Sequence, residues 1–360
     1  MRFEDVDRLP NYELGLWGQT IERWGNEGMP LDSVYLKWFE GEPYFKIDRR
    51  DFAPVDVMML PPFEEEVIEE SERYLVYRHP TGIVTKALKE GTVRGSRPSM
   101  DQYLSFPVTD RQDFAAIKKR YDPASSVRYP LGWNEMIKGW QERDYPLCLL
   151  TNGTIGLYWQ LRRWVGTEGV SYLFYDDPQL VEEMIDLIVH FTLRVTERAR
   201  KEIGFDYFNF SEDFAGKAGP LISPQMFRKF LLPGYKKITD EFRKNGIEHF
   251  WLDSDGDTRT LIPLMIEAGI NCHWPLEQAA GMDPVSLRKE YGKEMVFLGG
   301  IDKRELSKGK EDIKKELYAK IPPLMERGGF IPHLDHTFPP DISYDNFQYY
   351  MELKSKLIEK

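Results

Sequence analysis

A chain of 360 residues with 41% hydrophobic and 14% aromatic content carries enough apolar surface for a full core, which excludes a disordered or low-complexity protein. Its formal net charge of −11 argues against nucleic acid or an anionic membrane surface as the main partner, because phosphate recognition needs a positive field. No run of about 18 apolar residues offers a membrane span, and Met1-Arg-Phe-Glu-Asp-Val-Asp7 has no basic segment leading into an apolar one, so a cytoplasmic protein is expected.

Residues 1–110 are rich in Pro, Gly and aromatic side chains and read as an elaborated N-terminal segment packed on a main body, 111–360, the two forming one structural domain. Trp17, Trp24, Tyr35, Trp38 and Phe39 suit core packing better than an aromatic pocket. Two alternating runs, from Tyr74 and from Ile83, flank His79-Pro-Thr-Gly82 and predict a hairpin. Arg111 to Tyr121 has amphipathic helical spacing, and Asp177-Pro178 caps a second helix running to Phe191. Cys148 and Cys272 lie inside apolar runs and read as small, reduced core residues.

From Pro146 onward, apolar strands and helices take turns, which implies parallel strands joined by right-handed crossovers. The candidate strands are Val55 to Leu60, one near Tyr129, Pro146 to Leu150, Asp206 to Phe210, Glu248 to Leu252, Ile270 to Trp274, Met295 to Gly299 and Gly329 to Pro332. This number suits an α/β fold built as a single (β/α)8 TIM-type barrel. An open doubly wound sheet is less well supported, since no Gly-x-Gly-x-x-Gly follows an early strand.

The later strands stop at acidic or His residues: Glu212-Asp213, Asp253-Ser-Asp255, Glu277, Asp302 and His333-Leu-Asp335-His336. A carboxylate at the end of a buried strand is costly to desolvate without a partner or a task, so this pattern reads as an active-site rim. Asp253-Ser-Asp255-Gly-Asp257 is not a calcium loop, because Leu264 stands where a bidentate Glu is needed; it serves either as turn and cap chemistry or as ligands, acids and bases facing the mouth. His249 and His273, within apolar runs, read as core histidines, and His79 and His190 carry little information. So crowded a rim needs a metal or raised carboxyl pKa values.

Several stretches resemble the superfamily of uroporphyrinogen decarboxylase and the cobalamin-linked methyltransferases: Gly204-Phe-Asp-Tyr-Phe, Gly219-Pro-Leu-Ile-Ser-Pro-Gln-Met-Phe, Leu298-Gly-Gly-Ile-Asp302, and Gly328-Gly-Phe-Ile-Pro-His-Leu-Asp-His336 with Pro339-Pro-Asp. The resemblance runs from about Pro146 to Leu357. The decarboxylases' Arg-rich N-terminal clamp is missing from Asn11 to Trp24, which disfavours uroporphyrinogen itself as substrate. Where the methyltransferases place a His-x-Cys pair and a final Cys around zinc, this chain has Asp253-x-Asp255 and His336.

The resemblance therefore implies a methyltransferase acting between a small methylated donor, such as a methyl ether, and a corrinoid supplied by a partner protein. It also implies a divalent metal, zinc first, held by Asp253, Asp255 and His336, with Glu212 or Glu277 as proton donor and His333 and Asp335 against the substrate. A decarboxylase of a tetrapyrrole or other acidic small molecule, and a docking subunit without chemistry, are the alternatives; a homodimer is compatible with either.

Overall fold

The computed structural model describes residues 1–360 apart from 5, 33–37, 39, 40, 151–154, 327 and 360, so Tyr35 and Phe39 lie outside the described residues. The fold is mixed α/β around a curled parallel sheet of seven strands, joined in the order β1, β6, β7, β10, β11, β12, β13. These are β1 (Asp51–Phe52), β6 (Leu147–Cys148), β7 (Tyr207–Ser211), β10 (His249–Asp253), β11 (Cys272–Trp274), β12 (Val296–Leu298) and β13 (Phe330–Ile331). A four-stranded antiparallel sheet, β2 (Glu66–Glu70), β3 (Tyr74–Arg78), β4 (Val84–Leu88) and β5 (Gln102–Ser105), is inserted between β1 and β6, and the short pair β8 (Ala215–Gly216) and β9 (Gly219–Pro220) follows β7. The hairpin expected around His79 to Gly82 is β3–β4. No helix among the described residues is long and apolar enough to cross a membrane.

The closed eight-stranded barrel is corrected: the sheet has seven strands, and no ladder joins β13 to β1 among the described residues. Val55 to Leu60 and the region near Tyr129 are not strands. Arg128, 1% exposed, draws the backbone near Val55 to Leu60 away from a sheet by donating to the carbonyls of Asp56, Met58 and Arg120. Residues 126–128 themselves form a short 3₁₀ turn. The gap in the sheet is occupied by the chain around Tyr12 and Glu13. Tyr12 packs with Cys148, Tyr207, Trp251, Cys272 and Ile331, the inward-facing side chains of the strands. Glu13 and Lys354, both 0% exposed, form an ion pair beside the Tyr350 hydroxyl, and Glu13 also accepts the Leu334 N–H at 3.1 Å. The C-terminal helix Tyr344–Leu357 is thereby fastened to the N-terminal segment and to the loop after β13. Such a pair fixes registry more than it adds stability, because desolvation offsets most of its attraction.

The strand period of two sorts the side chains. Phe208, Phe210, Phe250, Leu252, Phe297 and Phe330 lie in the larger core between sheet and helices, whereas Tyr207, Trp251, Trp274 and Leu298 fill the inside of the curl. Asp253 is two residues beyond Trp251, in register with Ser211 and Trp274, so its carboxyl belongs to the inner face at the sheet's C-terminal edge. Trp24 and Trp38 are core, packed against Phe338 and Phe347. Cys148 and Cys272 are buried and free.

The helices of the first half are α1 (Gly18–Asn26), α2 (Arg111–Lys118), α3 (Trp133–Gln141) and α4 (Leu157–Asp176), after which α5 (Pro178–Val195) opens on Asp177, whose carboxylate accepts the Leu180 N–H at 3.1 Å. Helix α4 kinks at Gly166, where φ is 79°, and an added Cβ would stand 2.5 Å from the Phe106 ring. Gly166→Ala is therefore expected to destabilise the protein by about 1–3 kcal/mol, from left-handed strain and the clash together, as read by urea unfolding.

Candidate active site at the sheet's C-terminal edge

The loops after β7, β10, β11 and β13 bring the expected acidic residues to one end of the sheet. Asp255, Glu277 and His336 line one cavity of about 350 Å³, together with Trp17, Lys303 and Arg304. Gly256, at φ 81°, turns the chain after Asp255 sharply enough for its N–H to reach Glu277 at 3.0 Å. His336 lies edge-on to Trp17, and its Nδ1 is 2.9 Å from the Thr337 hydroxyl, which accepts the Trp17 indole N–H.

Asp253 is the outlying group electrostatically. Burial, reinforced by Asp255, Asp213 and Glu212, holds its carboxyl well above the ordinary 3.8. Among the described residues nothing hydrogen-bonds to that carboxyl, and the residue is partly buried. Asp255 is raised as well, by burial first, while the nearby His336 works in the opposite direction; one of its oxygens is buried with no hydrogen-bond partner. Two adjacent carboxyls with poorly solvated charge share a strong preference for keeping at least one proton.

Glu212 is placed differently. It faces the start of α4, where it accepts the N–H groups of Leu157 at 2.5 Å and Trp159 at 2.8 Å and the hydroxyl of Tyr235. Burial outweighs these bonds and pushes its pKa to about 7. Asp213 instead pairs with Arg162 at 2.5 Å. Asp335 is buried and accepts the N–H groups of Gln278 at 2.9 Å and Lys303 at 3.2 Å, joining the loops after β11, β12 and β13. Burial also raises its pKa. His333 is buried above Trp274, with its pKa pushed down to about 3 by burial, so it is a neutral imidazole at physiological pH. His273 is a core histidine, between Thr258 Oγ1 at 2.8 Å and the Leu252 carbonyl at 3.0 Å, pushed down to about 4 by burial.

The expected metal ligands do not form a cage: among the described residues, no three or more His, Cys, Asp or Glu side chains are grouped so as to hold an ion. Asp253, Asp255 and His336 thus stand at the sheet's edge as separate ionisable groups. Sequence reasoning missed Lys303 and Arg304 in the lining, the latter paired with Asp302 at 2.7 Å, since a Lys-Arg pair opening a surface helix has no distinguishing pattern. It also placed Trp17 in the core.

Parallel strands with helical crossovers, and ionisable groups gathered beyond their C-terminal ends, define a TIM-like α/β fold of the kind that carries enzyme active sites there. The chain belongs to the uroporphyrinogen decarboxylase (URO-D) family, whose model matches residues 93–357. It is similar in fold to a methyltransferase from Methanosarcina mazei, with a TM-score of 0.63 over 99% of this chain and 96% of that one, at 14% identity. No curated protein sequence matches it.

Proposed function

We propose that the protein is a URO-D-family enzyme that transfers a methyl group from a small methylated donor, such as a methyl ether, to a corrinoid carried by a partner protein. The observation that carries this reading is Asp253: a carboxyl on the inner face of β10, raised well above 3.8 and bound by no described donor. The family and the fold shared with a methyltransferase support it. A corrinoid held by the partner protein would supply the nucleophile for the methyl carbon, with the carbon–oxygen bond breaking. The electron pair of that bond stays on oxygen, which needs a proton to leave, and Asp253 gives it. Asp255 and His336, beside one another in the cavity, return the proton from solvent, while Glu277 is held still by the Gly256 N–H. His333 stays neutral and buried against Trp274.

The test is a single-turnover reaction of the enzyme with a reduced corrinoid protein and a panel of O-methylated donors, followed by the visible spectrum of the corrinoid. Methylation by at least one donor is the expected result. No change across a broad panel, with a corrinoid protein that a known methyltransferase does methylate, would count decisively against the proposal.

A further inference from the structure

A second cavity, of about 800 Å³, lies between the inserted sheet and α4, and its floor is charged. Arg97, Asp101, Arg162 and Arg163 all line it. Arg97 is paired with Asp101. Arg162 is paired with Asp213 at 2.5 Å, donates also to the Asp213 carbonyl and to Thr167 at 2.9 Å, and lies over the Trp159 ring. His79 shares a hydrogen bond with Thr85 at 2.8 Å, and burial lowers its pKa, so it adds no charge at neutral pH. Arg163 is the exception. It is half-buried, and among the described residues it makes no hydrogen bond, ion pair or ring contact. A guanidinium with five donors and no acceptor, withdrawn from water, is costly unless something occupies it.

Part of the lining is apolar. Tyr103 and Phe106 are stacked at 5.7 Å, with Trp159 and Ile83 also lining the space, and Tyr103 is left 49% exposed at the entrance. The kink at Gly166 brings Phe106 against α4 and so closes this side of the cavity. Because two of the three arginines are neutralised by Asp101 and Asp213, the cavity has one uncompensated positive charge.

We infer that this cavity binds a small organic carboxylate with an apolar, ring-sized body, its carboxylate held by the two-pronged guanidinium of Arg163 and its body between Tyr103, Phe106 and Trp159. One free cation matches a monoanion; a phosphate dianion would meet only one. The site adjoins the mouth, because Arg162 bridges it to Asp213 at the end of β7. The inference does not depend on methyl transfer, and its test uses neither a corrinoid nor a methyl donor.

Titration calorimetry of the full chain with naphthoate, naphthamide and naphthyl phosphate reads the charge rule directly. Naphthoate is expected to bind at least about ten-fold more tightly than the uncharged amide, and Arg163→Met is expected to weaken it about 10–100-fold, the range for losing a charged hydrogen-bonded partner. The same variant should melt no lower than the wild type, since it removes an unpaired, partly desolvated charge. A structural role for Arg163 would give the opposite shift. Equal binding of acid and amide, tighter binding of the phosphate, undiminished binding by the Arg163→Met variant, or a lowered melting temperature in that variant would each overturn the assignment.

Discussion

Asp253→Asn is expected to slow the proposed methyl transfer by about 10²–10⁴-fold, the range for losing a positioned general acid, while the protein keeps or gains thermal stability. The amide has the shape of the carboxyl and no described hydrogen bond is lost, so the fold has no reason to move. The stability effect has a definite sign. Burial and the neighbouring Asp255, Asp213 and Glu212 raise the folded-state pKa of Asp253 well above 3.8. A group raised in this way contributes stability that is fully present below its unfolded value and is lost as pH rises through its folded value. The amide carries no charge at any pH. Melting temperatures of the two proteins should therefore agree at acidic pH, with the variant drawing ahead as pH climbs beyond the ordinary carboxylate range. A variant that is inactive and also less stable at neutral pH would mean that Asp253 is a structural group.

Glu212→Ala is expected to cost about 3–5 kcal/mol in urea unfolding, because it strips the acceptor from several buried donors at once. The Leu157 and Trp159 N–H groups and the Tyr235 hydroxyl all end on this carboxyl. Glu212→Gln should cost less than half as much, since an amide oxygen still serves part of the set. With a folded pKa of about 7 against an ordinary 4.5, the stability linked to the proton on Glu212 is complete below about 4.5 and is lost as pH rises through about 7. The difference between wild type and the Glu212→Gln variant should accordingly narrow from mildly acidic to mildly alkaline pH.

The parts of the fold that were legible are those where pattern and packing agree. The strands of the second half show as short apolar runs because both faces are buried, and the residue that stops each run marks the sheet's C-terminal edge. Once register is known, the period of two turns Asp253 inward above Trp251. The closed barrel was a miscount of the first half. Val55 to Leu60 is apolar enough for a strand, but its neighbouring carbonyls end on the buried Arg128, a partner that no local pattern reveals. Strand β2 has all five residues exposed and so lacks the alternation that marks a half-buried strand.

For the site, the sequence shows acidic and His residues gathering at the strand ends but not which groups they bond to. Glu212 and Asp335 look like any rim carboxylates, yet loop and helix amides claim them, and only the tertiary structure shows which N–H groups point their way. The cavity at Arg163 was hidden for a related reason. Arg162-Arg163 on a helix reads as a solvated face until the inserted sheet is seen to cover it.

In the proposed reaction Asp253 acts as a neutral acid. Infrared difference spectroscopy of protein labelled with carbon isotope in its aspartates, wild type minus Asp253→Asn at neutral pH, observes that proton without any substrate. A carboxylic-acid carbonyl band present in the wild type and lost in the variant is the predicted result, whereas a difference spectrum showing only the loss of an ionised carboxylate would contradict it.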